Sequence, residues 1–212
     1  MHTQIAIDGP VASGKTVVGR ILSEQLGWRF LDTGLMYRAI TWMALHEQID
    51  ASDHLALENL AINSQIELVA SSEGDRLFIN QNDITDDLRS RSIEATVSFI
   101  SQISGVRTAL ILKQREIASS GSIVMVGRDI GTRVLKYAGI KVFLTASTDE
   151  RAKRRFSQAL EINPDTTLKI VKTDLERRDL IDSQNKESPL PVSSTHLRAH
   201  EPEAALVCRL LL

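Results

Sequence analysis

The sequence predicts an α/β fold in which a parallel β-sheet carries helices on both faces. Runs rich in Ile, Val and Phe recur at 4–7, 29–31, 122–126 and 141–144, and helical patterning fills the segments between them. Strands that alternate with helices favour a parallel sheet, because two parallel strands must be joined by a long crossover connection, which is usually a helix. A glycine-rich segment directly behind the first run supports the same fold class.

The first strand-helix-strand unit is predicted between residues 4 and 31. Apolar residues lie near helical spacing from Thr16 to Leu26, and Gly27 stands where the C-cap of a helix is expected. This arrangement places the glycine-rich segment in the turn between the first strand and the first helix.

Residues Gly9 to Thr16 match the pattern G-x-x-x-x-G-K-S/T, which cradles phosphate groups. Its glycines let successive backbone N–H groups face phosphate oxygens, and the following helix adds its positive N-terminal end. We expect Lys15 to reach the β- and γ-phosphates and the Thr16 hydroxyl to ligate Mg²⁺, with Asp32 acting through a water on the metal. The residues expected to contact the nucleotide are Gly9, Pro10, Val11, Ala12, Ser13, Gly14, Lys15, Thr16 and Val17.

Bulk composition limits the function classes. The chain has 212 residues, 42% hydrophobic and 25% charged, which fits one α/β domain with a small insertion. A net charge of −2 gives no general attraction to nucleic acid or to acidic membranes. The single cysteine, Cys208, excludes an intrachain disulfide, and neither a secretory signal nor a long apolar run is evident. We therefore expect a cytoplasmic protein with no nucleic-acid or membrane partner.

Two segments depart from the strand-helix alternation. Short alternating runs at 66–69 and 76–79 predict an antiparallel hairpin, which indicates an insertion that forms a lobe beside the sheet. The arginine-rich segment from 147 to 188 predicts a helical hairpin that closes over bound phosphates.

Polar residues follow the second predicted strand, at the sheet edge where ligands bind in open α/β folds. Asp32, Thr33 and Gly34 stand there. The N-cap of a helix would equally favour Asp or Thr at this place. Arg38, within the following helix, favours a binding role, because with Thr33 it forms a hydroxyl-guanidinium pair suited to a second phosphate.

The next central strand ends in Gly127, Arg128 and Asp129. An ion pair at a solvated strand end would explain the two charged residues. The topology favours function, since the carboxyl ends of neighbouring parallel strands open into one crevice.

The arginines of the predicted helical hairpin divide into two groups. We expect Arg151 on a solvated helix face with i,i+3 and i,i+4 ion pairs. Arg154, Arg155 and Arg178 are instead candidates for neutralising the charge of a transferring phosphoryl group. Asp182, four residues after Arg178, is placed to orient one of them.

With these residues in view, the chain resembles bacterial cytidylate kinases, which use ATP to phosphorylate CMP and dCMP. The resemblance extends from about residue 5 to residue 190. The matching segments are Ile-Asp-Gly-Pro and Ser-Gly-Lys-Thr within 7–16, Leu-Asp-Thr-Gly-Leu-Met-Tyr-Arg-Ala at 31–39, Val-Ser at 97–98, Val-Arg at 106–107, Gly-Arg-Asp-Ile-Gly-Thr at 127–132, Phe-Leu-Thr-Ala-Ser at 143–147 and Arg-Asp-Leu-Ile-Asp-Ser at 178–183.

The resemblance implies a nucleoside monophosphate kinase fold with a five-stranded parallel sheet. It implies a core at 1–38, 88–146 and part of 185–212, a monophosphate-binding insertion at about 39–87, and a lid at about 147–184. It also implies a monomer with Mg²⁺, ATP as phosphoryl donor, and Lys15, Arg154, Arg155 and Arg178 as catalytic residues.

Matched position by position, the resemblance divides the CMP-binding residues by role. Those for the acceptor phosphate region are Thr33, Arg38, Arg128, Arg178 and Asp182, and those for the cytosine ring are Ser98, Arg107 and Asp129. Cytosine offers an amino donor beside two acceptors, so a carboxylate and a guanidinium discriminate it from uracil.

The chain departs from the family pattern near its end. Asn185 stands where the family usually has an arginine, and residues 191–212 share nothing with the family's last strand and helix, so we expect both elements to be lacking. Three other functions stay open: another acceptor such as UMP or shikimate, a nucleotide-sensing switch that acts through a partner, and a folded but inactive nucleotide binder.

Overall fold

The computed structural model describes residues 3–69, 76–162, 164–184 and 196–198. The chain divides into two compact units, of which one is Met1–Asp32 with Ile117–Leu212 and the other is Thr33–Glu116. The helices and strands run in the order β1 (Gln4–Asp8), α1 (Lys15–Leu26), β2 (Arg29–Asp32), α2 (Thr33–His46), α3 (His54–Asn63), β3 (Ile66–Val69), β4 (Arg76–Ile79), β5 (Asn82–Asp83), α4 (Arg91–Ile100), α5 (Ser104–Ser119), β6 (Ile123–Gly127), β7 (Ile140–Thr145), α6 (Thr148–Ile162), α7 (Leu168–Gln184) and β8 (His196–Arg198).

The first unit is built on a five-stranded parallel sheet with the order β2-β6-β1-β7-β8. Its central strands read as continuous apolar runs because both faces are covered, and β6 is buried along its whole length. The four strands that the sequence predicts are confirmed. Asp8 pairs with Gly127 at the ends of β1 and β6, so the segments that follow these two strands leave the sheet side by side.

The expectation that the chain lacks the last strand of the sheet is wrong. His196–Arg198 forms β8, which pairs in parallel with β7 from Phe143 to Thr145. Strand pairing uses backbone groups, so a polar segment without strand patterning can still complete a sheet edge. The expected absence of a final helix concerns residues outside the described part of the chain.

Helix α1 packs closely on the sheet. Val18 and Leu22 join Ile7 and Val126 in one buried apolar cluster. Gly19 allows this approach, because a Cβ atom at its position would lie 2.6 Å from the Val126 side chain.

Helices α6 and α7 form the helical hairpin predicted for the arginine-rich segment. Ala152 of α6 packs against Val171 and Leu175 of α7 in a small apolar cluster of their own. Lys172 of α7 donates to the Asp149 carboxylate at 2.6 Å, an exposed contact that lowers the pKa of Asp149.

The second unit consists of helices and a three-stranded antiparallel sheet of the order β3-β4-β5. The predicted hairpin is confirmed, with Ile66 opposite Ile79, whereas the two-residue strand β5 has no counterpart in the predictions. Met36, Ile40 and Leu57 are fully buried in this unit. Among the described residues, no single helix is long and apolar enough to cross a membrane, and α4 and α5, which are bent by 97° to each other, reach that length and apolar character only as a pair.

Candidate active site

The phosphate loop connects β1 to α1 with three residues at positive φ. Gly9 has φ 155°, Ala12 has φ 57° and Gly14, the N-cap of α1, has φ 96°. A Cβ atom at Gly9 would lie 2.0 Å from the Leu144 carbonyl oxygen, so only glycine fits there. Gly14 has no side chain to cap the helix, and the N-terminal end of α1 therefore offers backbone N–H groups to an anion.

Lys15 is buried at the start of α1 and folds back over the loop. Its Nζ donates to the Pro10 carbonyl oxygen at 2.7 Å and to Ser13 Oγ at 3.4 Å. The ammonium group thus lies beside the loop that the sequence assigns to phosphate binding, where its charge suits the β- and γ-phosphates.

Thr16 and Asp32 come together at the ends of α1 and β2. The Thr16 hydroxyl donates to Asp32 Oδ2 at 2.7 Å, in an exposed position. Hydroxyl and carboxylate oxygens are ligands that Mg²⁺ prefers, and this ion typically takes few protein ligands beside substrate phosphates. The described residues contain no group of three or more His, Cys, Asp or Glu side chains that could hold a metal by themselves. The pair therefore fits a magnesium ion that a nucleotide brings with it.

Asp8 is a buried carboxylate that links β1 to the segment after β6. Its two oxygens accept the backbone N–H groups of Ile130 and Gly131 at 2.7 and 2.8 Å. Burial raises the pKa of Asp8 to about 6; the Asp129 charge acts in the same direction, and the two N–H donors and Lys15 act against it. Asp8 thereby fixes the short π-helical turn Ile130–Val134.

Arg128 and Asp129 stand directly before this turn, at the carboxyl end of β6. Asp129 is 5% exposed, and Arg128 is half-buried. The burial of Asp129 argues against the alternative in which this pair is an ion pair at a solvated strand end. The charge of Asp129 raises the pKa of Asp8, and the charge of Lys15 lowers it.

Arg151 is not on a solvated face, contrary to the sequence-based expectation. It is 4% exposed, and its guanidinium donates to Asp179 of α7 at 3.1 and 2.6 Å. It also donates to the Val11 carbonyl oxygen of the phosphate loop at 3.3 Å. The face of α6 that carries Arg151 packs inward, and charge spacing along one helix does not reveal such packing.

The predicted catalytic arginines occupy different environments. Arg154 donates to the Ser13 carbonyl oxygen of the loop at 3.4 Å, whereas Arg155 donates to Gln158 at 3.1 Å. Arg178 is half-buried on α7. Asp182 lies in the last turns of α7, and its side chain, like the whole of Asn185, lies outside the described residues.

In the second unit, Arg38 is held on two sides. It forms an ion pair with Glu94 of α4 at 2.9 Å and donates to the Leu88 carbonyl oxygen at 2.9 Å. Thr33, the first residue of α2, is buried. Arg38 is therefore oriented by its own unit, and a bound anion would share its guanidinium with Glu94.

Arg107 and Ser98 belong to the same unit as Arg38. Arg107 is 8% exposed, donates to the Ser101 carbonyl oxygen at 2.9 Å and lies 5.7 Å from the centre of the Tyr37 ring. Ser98 is half-buried, and its carbonyl oxygen accepts from Gln102 Nε2 at 2.8 Å. Tyr37 stands next to Arg38 on α2, so two of the four predicted CMP-binding arginines, Arg38 and Arg107, lie in one region of this unit.

Three functional candidates were missed from the sequence. A signal existed for Asp8, a carboxylate at the end of the apolar run Ile5–Ile7 and directly before the glycine-rich loop. No local signal marks Glu94 or Asp179, because each pairs with a residue more than two dozen positions away.

Comparisons with known proteins agree with this geometry. A family model described as "Cytidylate kinase" matches residues 5–199. The cytidylate kinase of Geobacillus sp. (strain WCH70) is 42% identical over 189 residues, which cover 89% of this chain and 84% of that protein. The cytidylate kinase of Streptococcus gordonii is 44% identical over 188 residues, which cover 88% of this chain and 84% of that protein.

Among solved structures, a shikimate kinase from Acinetobacter baumannii in complex with shikimate has a TM-score of 0.53 at 18% identity. The match covers 100% of this chain and 92% of that chain, and at this identity it shows the shared fold alone. The family match, in contrast, includes the phosphate loop and the segments at 31–39 and 127–132. The chain therefore belongs to the cytidylate kinase family.

Proposed function

We propose that the protein transfers the γ-phosphoryl group of ATP to CMP or dCMP, which gives CDP or dCDP. The observation that carries this proposal is the register of β1 and β6. It sets residues 9–16 and the Arg128-Asp129 pair side by side at the same edge of the sheet. This supports our assignment of phosphate binding to the loop and of amino-group recognition to the buried Asp129 carboxylate.

In the reaction, an oxygen of the CMP phosphate attacks the γ-phosphorus of ATP. A new phosphorus-oxygen bond forms as the bond from the γ-phosphorus to the β,γ-bridging oxygen breaks, and ADP leaves. The phosphate oxygen is already ionised at neutral pH, so no general base is needed, and positioning and positive charge carry the catalysis. We assign the positive groups to Lys15, Arg154, Arg155 and Arg178.

Magnesium supplies charge neutralisation between the β- and γ-phosphates when it is bound. Thr16 would hold it through its hydroxyl, and Asp32 through a water molecule. The 2.7 Å hydrogen bond between these side chains supports the assignment, because it keeps both oxygens at the same end of the phosphate loop.

We assign cytosine recognition to Asp129, Arg107 and Ser98. A carboxylate accepts the N4 amino group of cytosine, and a guanidinium donates to N3 and O2. In uracil, O4 would face the Asp129 carboxylate, and two acceptors would meet in a buried place. The acceptor phosphate region is assigned to the remaining residues, which are Thr33, Arg38, Arg128, Arg178 and Asp182, with Asp182 orienting an arginine.

The remaining proposals concern organisation and location. Residues 39–87 would form the monophosphate-binding insertion, and residues 147–184 a lid that excludes water on closing. We expect a cytoplasmic monomer, because one chain holds every residue assigned above and its single cysteine suits a reducing compartment.

The experiment that tests the function is a coupled assay of ADP release with CMP, dCMP, UMP and AMP as acceptors. We expect kcat/KM for CMP to exceed that for UMP by at least about tenfold, the cost of one unsatisfied buried polar group. Asp129→Asn should narrow this ratio. Equal use of CMP and UMP by the unmodified protein would refute the assignment of the base, and titration that reveals one nucleotide site instead of two would favour a nucleotide-sensing switch.

A further inference from the structure

Arg151 is the buried cation at which the helical hairpin meets the phosphate loop. Its Nε donates to the Ala146 carbonyl oxygen at 3.1 Å, and Nη2 donates to Thr148 Oγ1 at 3.2 Å. Both acceptors lie at the junction of β7 and α6, so the guanidinium is anchored to its own end of the helix. A buried charge is costly unless its hydrogen-bond donors have acceptors. Arg151 is 4% exposed, and its guanidinium donates to several acceptors.

Asp179 holds the other side of the guanidinium from α7. The two carboxylate oxygens accept from Nη1 and Nη2 at 3.1 and 2.6 Å, a bidentate arrangement that fixes orientation as well as distance. Arg151 is thereby locked between α6 and α7, and its remaining direction of contact is the phosphate loop.

Three cationic side chains hold three carbonyl groups of that loop. Arg151 holds Val11 at 3.3 Å, Lys15 holds Pro10 at 2.7 Å and Arg154 holds Ser13 at 3.4 Å. In a planar trans peptide the carbonyl and the next N–H point in opposite directions. A carbonyl held by a cation therefore fixes where the following N–H points, and for Val11 that is the N–H of Ala12.

The backbone at Ala12 needs such support. Its φ of 57° is in the left-handed region, which a residue with a Cβ atom adopts only when the surrounding structure holds it there. The Val11 carbonyl belongs to the peptide plane directly before this residue.

We propose that Arg151, oriented by Asp179, is a positioning residue that keeps the phosphate loop in its anion-binding shape through the Val11 carbonyl. The inference rests on the proposed function, in which this loop binds ATP. It assigns Arg151 no contact with substrate, and it predicts that loss of the contact weakens ATP binding while CMP binding is preserved.

The test compares Arg151→Lys, Asp179→Asn and the double variant with the unmodified full chain. Lysine keeps the charge but has three donors on one atom and cannot reproduce the bidentate fork. Asp179→Asn leaves Arg151 in place and removes the charge that orients it. Lys153→Gln is the matched control, because Lys153 lies on the same helix, exposed and paired with Glu150 at 3.1 Å.

The direct readout is calorimetric titration with Mg·ATP in the absence of an acceptor. Arg151→Lys is expected to raise the Kd for ATP about tenfold, and Asp179→Asn about fivefold. The double variant should have the same Kd for ATP as Arg151→Lys, because both substitutions act through one contact. The control should stay within about twofold. In steady state, KM for ATP should rise while KM for CMP stays within about twofold.

Two results would overturn the inference. One is an unchanged Kd for ATP in folded Asp179→Asn and Arg151→Lys, and the other is an equal rise of KM for both substrates, as a purely structural role would give. If circular dichroism shows that Arg151→Lys is not folded, the Kd of Asp179→Asn for ATP alone tests the inference. If the unmodified protein binds ATP but does not phosphorylate CMP, the proposed function fails while the titration still tests the loop.

Discussion

Replacing Asp8 with asparagine is expected to remove a pH dependence of folding stability. The pKa of Asp8 rises from 3.8 to about 6 on folding, chiefly through burial. Between these values the folded protein binds more protons than the unfolded chain, so the stability that Asp8 contributes is complete below pH 3.8 and is lost as the pH rises through 6. The charges of Asp129 and Lys15 also act on the pKa of Asp8, Asp129 raising it and Lys15 lowering it.

The size of the effect follows from the two pKa values. At about 1.4 kcal/mol per pKa unit, the rise corresponds to about 3 kcal/mol. Asparagine keeps the shape of the side chain but turns an NH₂ group toward one of the two backbone donors, at a cost of about 1–3 kcal/mol that does not change with pH. The quantity to measure is therefore the difference in free energy of unfolding between the unmodified protein and Asp8→Asn, by urea denaturation from about pH 4 to pH 7.

This difference should fall by about 2.4 kcal/mol across that range, somewhat less than the full value because the carboxyl of the unfolded chain is already partly ionised at pH 4. Asp83→Asn is the control: hydrogen bonding from Arg76 lowers the pKa of Asp83 to about 2, so its contribution is constant throughout the same range. A difference curve for Asp8→Asn as flat as that of Asp83→Asn would refute the account of Asp8 as a buried, ionisable carboxylate.

Three further outcomes are expected. Gly9→Ala should lower the melting temperature and abolish ATP binding, because its Cβ would lie 2.0 Å from the Leu144 carbonyl oxygen; unchanged calorimetric binding of ATP would contradict this. Lys15→Gln should reduce kcat by at least about 100-fold, since a charge beside the transferring group is lost, and a change in KM alone would count against that role. Arg38→Lys should raise KM for CMP about tenfold and leave KM for ATP unchanged, as measured by ADP release. A lysine lacks the planar guanidinium that could donate to Glu94 and to an anion at the same time.

The parallel sheet and the phosphate loop could be predicted because their signals are local. The apolar runs that become β1 and β6 stand out by composition, and the loop follows β1 in the spacing that its glycines require. Strands β5 and β8 were missed for the opposite reason. Asn82–Asp83 and His196–Arg198 are short and polar, and backbone pairing with a neighbouring strand alone makes them strands.

The environment of individual charges could not be predicted. Arg151 carries the sequence pattern of a solvated helix, but the partner that fixes it, Asp179, is 28 residues away on the next helix. Asp8 accepts from N–H groups 122 and 123 residues further along the chain. Tertiary packing decides such contacts, and the spacing of charged residues along a single helix or strand does not reveal them.

The most direct test of the central claim is the stoichiometry of products when the protein is incubated with Mg·ATP and CMP. Phosphorus NMR separates ADP, CDP and inorganic phosphate in one sample. Phosphoryl transfer to CMP predicts that CDP and ADP accumulate in equal amounts with no free phosphate. ADP that accumulates with inorganic phosphate and without CDP would contradict it.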